Sequence, residues 1–154
     1  GALTHAVERH RARAGAIIAL DVKSGEILAL ANVPSYNPNN RARLTGAQLR
    51  NRVITDLFEP GSTLKPFTIA LALETGKVNA STAVHTAPGR FTLAKYTIRD
   101  LHPAASLTVA QVVQKSSNVG AAKIALALPR EAMWDFFRRV GFGAPPKLGS
   151  IPMS

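Results

Sequence analysis

At 154 residues, 46% of them hydrophobic and with a mean hydropathy of +0.06, the chain has the length and composition of one globular domain rather than a disordered segment. It contains no apolar run of about eighteen residues, which argues against a spanning helix, and no cysteine, which excludes disulfides and thiolate metal sites. Nineteen Lys and Arg against nine Asp and Glu give a net charge of +10, favouring anionic partners. No aromatic residues interleave with the arginines as single-strand binders require, so nucleic acid is not expected as a partner.

Residues 2–13 read as a short helix carrying Leu3 and Val7. The almost continuous apolar run AIIALDV, Ala16 to Val22, suggests a strand covered on both faces. Lys23-Ser24-Gly25 forms a turn, and EILALANV, Glu26 to Val33, returns as the second strand of a hairpin. Pro34 to Arg43 is a loop, and Gln48 to Asp56 reads as helical. Glu59-Pro60-Gly61 breaks the chain before FTIALAL, Phe67 to Leu73. A helix apolar on all faces belongs in the middle of a domain. Pro66 fits this helix only if the helix starts close to Ser62, leaving Pro66 near the first turn.

Asn79 to Arg90 is read as loop, and FTLAKYTIR, Phe91 to Arg99, as a small hairpin. A helix starts at Leu107-Thr108, is interrupted at Ser116-Ser117-Asn118, and resumes to Leu128. Pro129 opens a third helix that Gly141 ends, and a Pro- and Gly-rich tail runs from Gly143 to Ser154. Strands first, helices next and no βαβ alternation make the class α+β, a mainly antiparallel sheet with helices on it.

Ser62 and Lys65 stand three residues apart at the start of a helix, on one face, where an amine of lowered pKa can make a serine nucleophilic without histidine. Taken alone, S-x-x-K is a weak signal. A covalent acyl-transfer site also needs a second proton carrier and a group that orients substrate, and Ser116 and Asn118 offer a hydroxyl and a carboxamide two residues apart in an interhelical turn. The plainer reading of Ser116 or Ser117 is as the N-cap of the next helix. Two similar strings are structural: Ser35-Tyr36-Asn37 lies in a Pro/Asn loop, and Lys23-Ser24-Gly25 in a hairpin turn ahead of Ser62. His5, His10, His85 and His102 lack metal-ligand spacing, and there is no G-x-S-x-G elbow or phosphate loop. No cofactor or metal is expected.

Together these strings are specific. EPGSTLKPF at 59–67 followed by QKSSNVG at 114–120, with GAIIALDVKSGEILALANVPSYNPNN, RNRVITDLFEPGSTLKPF, YTIRDLH and a Gly-Phe-Gly at 141–143, resembles the class B penicillin-binding proteins. The likeness runs from about residue 3 to 149 and is greatest to the septal, division-specific group known as penicillin-binding protein 3. It implies a penicillin-recognising, β-lactamase-like fold and a serine D,D-transpeptidase that cross-links peptidoglycan stem peptides. Ser62 would then be the nucleophile, Lys65 its base (neutral through burial and nearby positive charge), Ser116 a proton relay and Asn118 a substrate-backbone contact. The Ser62 N–H would form half of an oxyanion hole.

The resemblance further implies β-lactams as inhibitors and lipid-linked precursors and divisome membrane proteins as partners. It implies action at the periplasmic face of the bacterial inner membrane. Two departures stand out. No K-T-G or K-S-G follows Ser116, and Ser-Ile-Pro-Met-Ser replaces the usual Phe-Pro-Gly after Gly149. The expectation is therefore that residues 1–154 form the front part of a transpeptidase domain, lacking the K-T-G strand, the non-catalytic domain and the membrane anchor. Such a piece is expected to fall short of full activity. Close alternatives are a β-lactam hydrolase or sensor and an inactive scaffold.

Overall fold

The structure, a computed structural model, describes residues 1–40 and 42–145. The end of the expected Pro/Gly-rich tail, including the departure after Gly149, lies outside the described residues. The described residues fall into two compact units, Gly1–Phe58 and Glu59–Pro145.

In the first unit, helix α1 (Ala2–Arg9) precedes strands β1 (Gly15–Leu20) and β2 (Ile27–Val33), which pair antiparallel from Gly15 opposite Val33 to Leu20 opposite Ile27. The connecting turn is built by Asp21, whose carboxylate accepts from the amides of Lys23 (3.0 Å) and Ser24 (2.7 Å), while Gly25 supplies a φ of +74°. The Lys-Ser-Gly triplet is thus a turn. Asn37 likewise turns its own loop, its side-chain oxygen accepting from Asn39 N at 2.9 Å. Helix α1 lies so close that a Cβ at Gly15 would sit 2.7 Å from Val7 and 3.0 Å from Leu3, which explains the apolar pair on that helix.

Two expectations are corrected here. The first strand is not covered on both faces: Ile17 is 53% exposed and Leu20 51%. An apolar run states which side chains seek cover, not how much of it the neighbouring elements give. The helix expected from Gln48 to Asp56 is two separate turns, α2 (Gly46–Leu49) and α3 (Arg52–Thr55). Between them Arg50 and Asn51 are extended, because Asn32 reaches across from β2, donating to Asn51 (3.1 Å) and accepting from Val53 N (3.2 Å). Two of the arginines are also partnered, with Arg50 and Arg52 both on Asp56 at 2.7 and 3.0 Å.

The second unit opens on a 3-10 turn, Gly61–Leu64, that runs directly into α4 (Lys65–Glu74). Pro66 falls in the first turn of α4, where its missing N–H leaves no bond unmade, and Lys65 remains helical at φ −57°, ψ −44°. Hairpin β4 (Arg90–Leu93) and β5 (Tyr96–Arg99) forms as expected. The segment from Asn79 to Arg90 is not all loop: β3 (Ala83–His85) pairs antiparallel with β6 (Ser106–Thr108). Three-residue strands leave no readable alternation, and their pairing is a long-range event.

Thr108 caps α5 (Val109–Gln114) through a reciprocal box with Gln111, and α6 (Asn118–Leu126) and α7 (Arg130–Arg139) follow. Pro129 and Gly141, the latter at φ +94°, bound α7. The class is α+β, with three two-stranded antiparallel ladders among the described residues in place of one larger sheet.

The core of this unit is made by Ile69, Leu71 and Ala72 of α4, Leu107 of β6, Val109 and Val112 of α5, Ala121 and Ile124 of α6, and Leu128. Each fully buried aliphatic side chain contributes about 1.5–3 kcal/mol. Phe67, near the start of α4, meets Phe142 edge-on at 5.2 Å, and Phe142 meets Phe137 of α7 at 5.4 Å. The helix that starts at Lys65 is thereby anchored both in the core and against α7.

Candidate active site

Lys65 is the meeting point. Its Nζ donates to Ser116 O at 2.6 Å, to Ser116 Oγ at 2.9 Å and to Asn118 Oδ1 at 2.6 Å. An ammonium has three protons, so these three acceptors satisfy it. Asn118 is fixed from its other side, its Nδ2 donating to Arg99 O at 2.8 Å. A carbonyl can only accept and an ammonium can only donate, so the orientation of the Asn118 amide follows from its two neighbours. Ser62 sits exposed in the 3-10 turn three residues before Lys65, a spacing that eclipses side chains in such a turn. Its hydroxyl enters no hydrogen bond among the described residues. Lys65, Ser116 and Asn118 are thus joined, whereas Ser62, three residues before Lys65, is hydrogen-bonded to none of them.

The turn between α5 and α6 explains how Ser116 is aimed. Ser117 N donates to Val112 O (2.9 Å) and Ser116 N to Val113 O (3.0 Å), the paired bonds that close a helix in the Schellman manner. The position that usually holds glycine is Ser116, at φ +52°. A left-handed L-residue costs about 1–2 kcal/mol, and here that strain turns the Ser116 hydroxyl and carbonyl toward Lys65. The neighbouring Ser117 is the N-cap, buried, accepting from Gly120 N at 2.8 Å. The cap thus falls to Ser117 and the contact with Lys65 to Ser116. Ser116→Gly is expected to keep or raise stability, by up to ~1 kcal/mol in a denaturant melt. A clear loss would mean that the hydroxyl bond to Lys65 outweighs the strain.

Burial pushes the Lys65 amine below its ordinary value, and the negative charge of Asp100 pulls it part of the way back. The family resemblance implies nearby positive charge as well as burial; the charge that acts on Lys65 has the opposite sign. Asp100 carries no signal in the sequence that would single it out. Its carboxylate accepts from Ser117 Oγ at 2.7 Å and from Val119 N at 2.9 Å. It lies within YTIRDLH, but no spacing rule links it to residues 117 and 119. Only the folded chain does so.

The chemistry available is that of a lysine–serine–asparagine cluster opening off a helix start that presents a second serine. The family model described as the penicillin-binding protein transpeptidase domain matches residues 15–151. The chain is 45% identical over 141 residues to the probable peptidoglycan D,D-transpeptidase PenA of Neisseria gonorrhoeae, covering 92% of this chain and 24% of that protein. It is 44% identical over 149 residues to the peptidoglycan D,D-transpeptidase FtsI of Escherichia coli, covering 97% and 25%. The chain therefore spans about a quarter of the length of these relatives.

Among solved structures, the apo TP domain of penicillin-binding protein 3 from Burkholderia pseudomallei superposes with a TM-score of 0.82 at 44% identity, over 96% of this chain and 40% of that one. A peptidoglycan glycosyltransferase from Burkholderia ambifaria gives 0.84 at 44% identity, over 99% and 44%. With a family match over most of its length and the fold of these structures, the chain belongs to the penicillin-binding protein transpeptidase domain family.

Proposed function

We propose that this chain carries the nucleophile-bearing part of a serine D,D-transpeptidase that cross-links peptidoglycan stem peptides during septal wall synthesis. The observation that carries the reading is the Lys65 amine, held by Ser116 and Asn118 from 51 and 53 residues away, three residues after an exposed serine. In the neutral form Lys65 has two N–H bonds and one lone pair. The N–H groups stay on Ser116 O and Asn118 Oδ1, and the lone pair takes the proton of the Ser62 hydroxyl. Ser62 Oγ then attacks the carbonyl between the two terminal D-alanines of a stem peptide. The new ammonium donates to Ser116 Oγ, which passes a proton to the departing D-alanine. Asn118 contacts the substrate backbone, and the Ser62 N–H stabilises the oxyanion.

An amine from a neighbouring stem takes the acyl group, returning Ser62 to its starting state. β-Lactams resemble the D-Ala-D-Ala end and acylate the same serine. Action at the periplasmic face of the inner membrane, on lipid-linked precursors and beside membrane proteins of the divisome, goes with this reading.

The nearest rival, β-lactam hydrolysis, needs a base positioned to activate water on the acyl-enzyme, and Glu59 and Glu74 are the carboxylates nearest Ser62 in sequence. Glu74 is badly placed to be that base, because it ends α4 about 13 Å along the helix from Lys65, at 1.5 Å per residue, and pairs with Arg139 at 3.5 Å. The test is the lifetime of the adduct formed with labelled penicillin by the full-length protein carrying this sequence. A long-lived adduct on the Ser62 peptide is expected, whereas rapid release of hydrolysed label would sink the transpeptidase reading.

A further inference from the structure

We propose that Asp100 is the positioning residue of this site, a clamp that fixes the turn bearing Ser116 and Asn118 against Lys65. The proposal rests on the transpeptidase reading above and adds to it a residue that touches none of the reacting atoms.

Residues 99 and 100, at the end of β5, hold residues 117–119 through three bonds. Asp100 accepts from Ser117 Oγ at 2.7 Å and from Val119 N at 2.9 Å, and Arg99 O accepts from Asn118 Nδ2 at 2.8 Å. Asp100 is itself tied down, its amide donating to Gly89 O at 2.8 Å. Ser117 is 3% exposed, so its end of the bond to Asp100 is buried, while Asp100 itself is half-buried. The first free N–H groups of α6 are divided between this carboxylate and the Ser117 cap. Ser116 and Asn118 flank Ser117 directly. With the clamp closed, the strained Ser116 has one place to put its hydroxyl, and Asn118 has one orientation for its amide. Opened, the turn can relax its left-handed residue and withdraw both acceptors from Lys65. A misplacement of about 1 Å in such a constellation costs roughly 10²-fold in rate.

The clamp is distinguished from general stability by reading two quantities in one experiment. Acylation by a fluorescent penicillin is followed in the full-length protein, giving the fraction that labels and the rate constant of the acylation step. Loss of folded protein lowers the fraction, whereas loss of positioning lowers the rate constant. Asp100→Ala is expected to label to the parent's extent but about 10–100-fold more slowly. Asp100→Asn keeps an acceptor for Val119 N and can donate to Ser117 Oγ, so it is expected to recover most of the rate. An Asp100→Ala protein with the parent's rate constant, or one whose only defect is a smaller labelled fraction, overturns the proposal. If Asp100→Ala does not fold, Ser117→Ala, which removes one arm together with the cap on Gly120 N, decides it by the same criterion. Loss of the cap lowers the labelled fraction and loss of the arm the rate constant. Failure of the unsubstituted protein to label at all would instead overturn the transpeptidase reading, and this one with it.

Discussion

Ser62→Ala is expected to abolish the covalent penicillin adduct, and Lys65→Arg to slow its formation by about 10²–10⁴-fold, the usual range for loss of a positioned base. The arginine variant is the informative one. A guanidinium can still donate to Ser116 and Asn118, but it does not give up its proton and so cannot accept one from Ser62. Hydrogen-bond donors are kept while the base is removed.

The same comparison has a pH signature. With Lys65 as the proposed base, its neutral form is the reactive one, so acylation is expected to rise with pH as the amine loses its proton. Because burial outweighs the pull of Asp100, that rise lies below the ordinary lysine value of 10.5. The arginine variant is expected to show no such limb. Rates measured by stopped-flow across pH would sink the assignment of Lys65 as base if Lys65→Arg matched the parent.

Gly120→Ala is the second large effect, on stability. Within a helix this exchange ordinarily stabilises, by up to about 1 kcal/mol. Here a Cβ would lie 2.5 Å from Val112 Cγ2, 3.1 Å from Val112 Cγ1 and 3.0 Å from Ser117 Oγ. Val112 is fully buried in the core, and Ser117 is held by both Gly120 N and Asp100, so neither has room to retreat. Overpacking of this kind costs about 1–3 kcal/mol, so the sign reverses. Val112→Ala destabilises by itself, yet it also removes the methyl groups in the way. The double variant is therefore expected to be more stable than the sum of the two changes, with a coupling of about 0.5–3 kcal/mol. Strict additivity in thermal melts would show that Gly120 is not what lets α5 and α6 approach.

The α+β class, the β1–β2 and β4–β5 hairpins, the presence of α4 and the limits of α7 were legible because each rests on local signals: an apolar run, a glycine at a turn, a proline in a first turn. That α4 buries only one face, leaving Leu73 43% exposed, was not. The pairing of β3 with β6 was not, since three residues carry too little pattern and their partner lies more than twenty residues away. The break between α2 and α3 was also hidden. It depends on Asn32, whose side chain acts on residues 51 and 53 only after the chain has folded.

The site divides along the same line. By itself the sequence supplied the candidate residues, because the spacing of Ser62 and Lys65 at a helix start is local. It also placed Ser116 in a turn between two helices; Asn118, read as part of the same turn, is instead the first residue of α6. What only the tertiary structure decided is which serine does what. Ser117 took the capping role because its hydroxyl lies between Gly120 N and Asp100, and Ser116 took the strained position whose hydroxyl meets Lys65. Asp100 likewise emerges only in the fold, since a carboxylate 17 residues before the serine it holds becomes its neighbour through β5 and α6, by packing that no local spacing encodes.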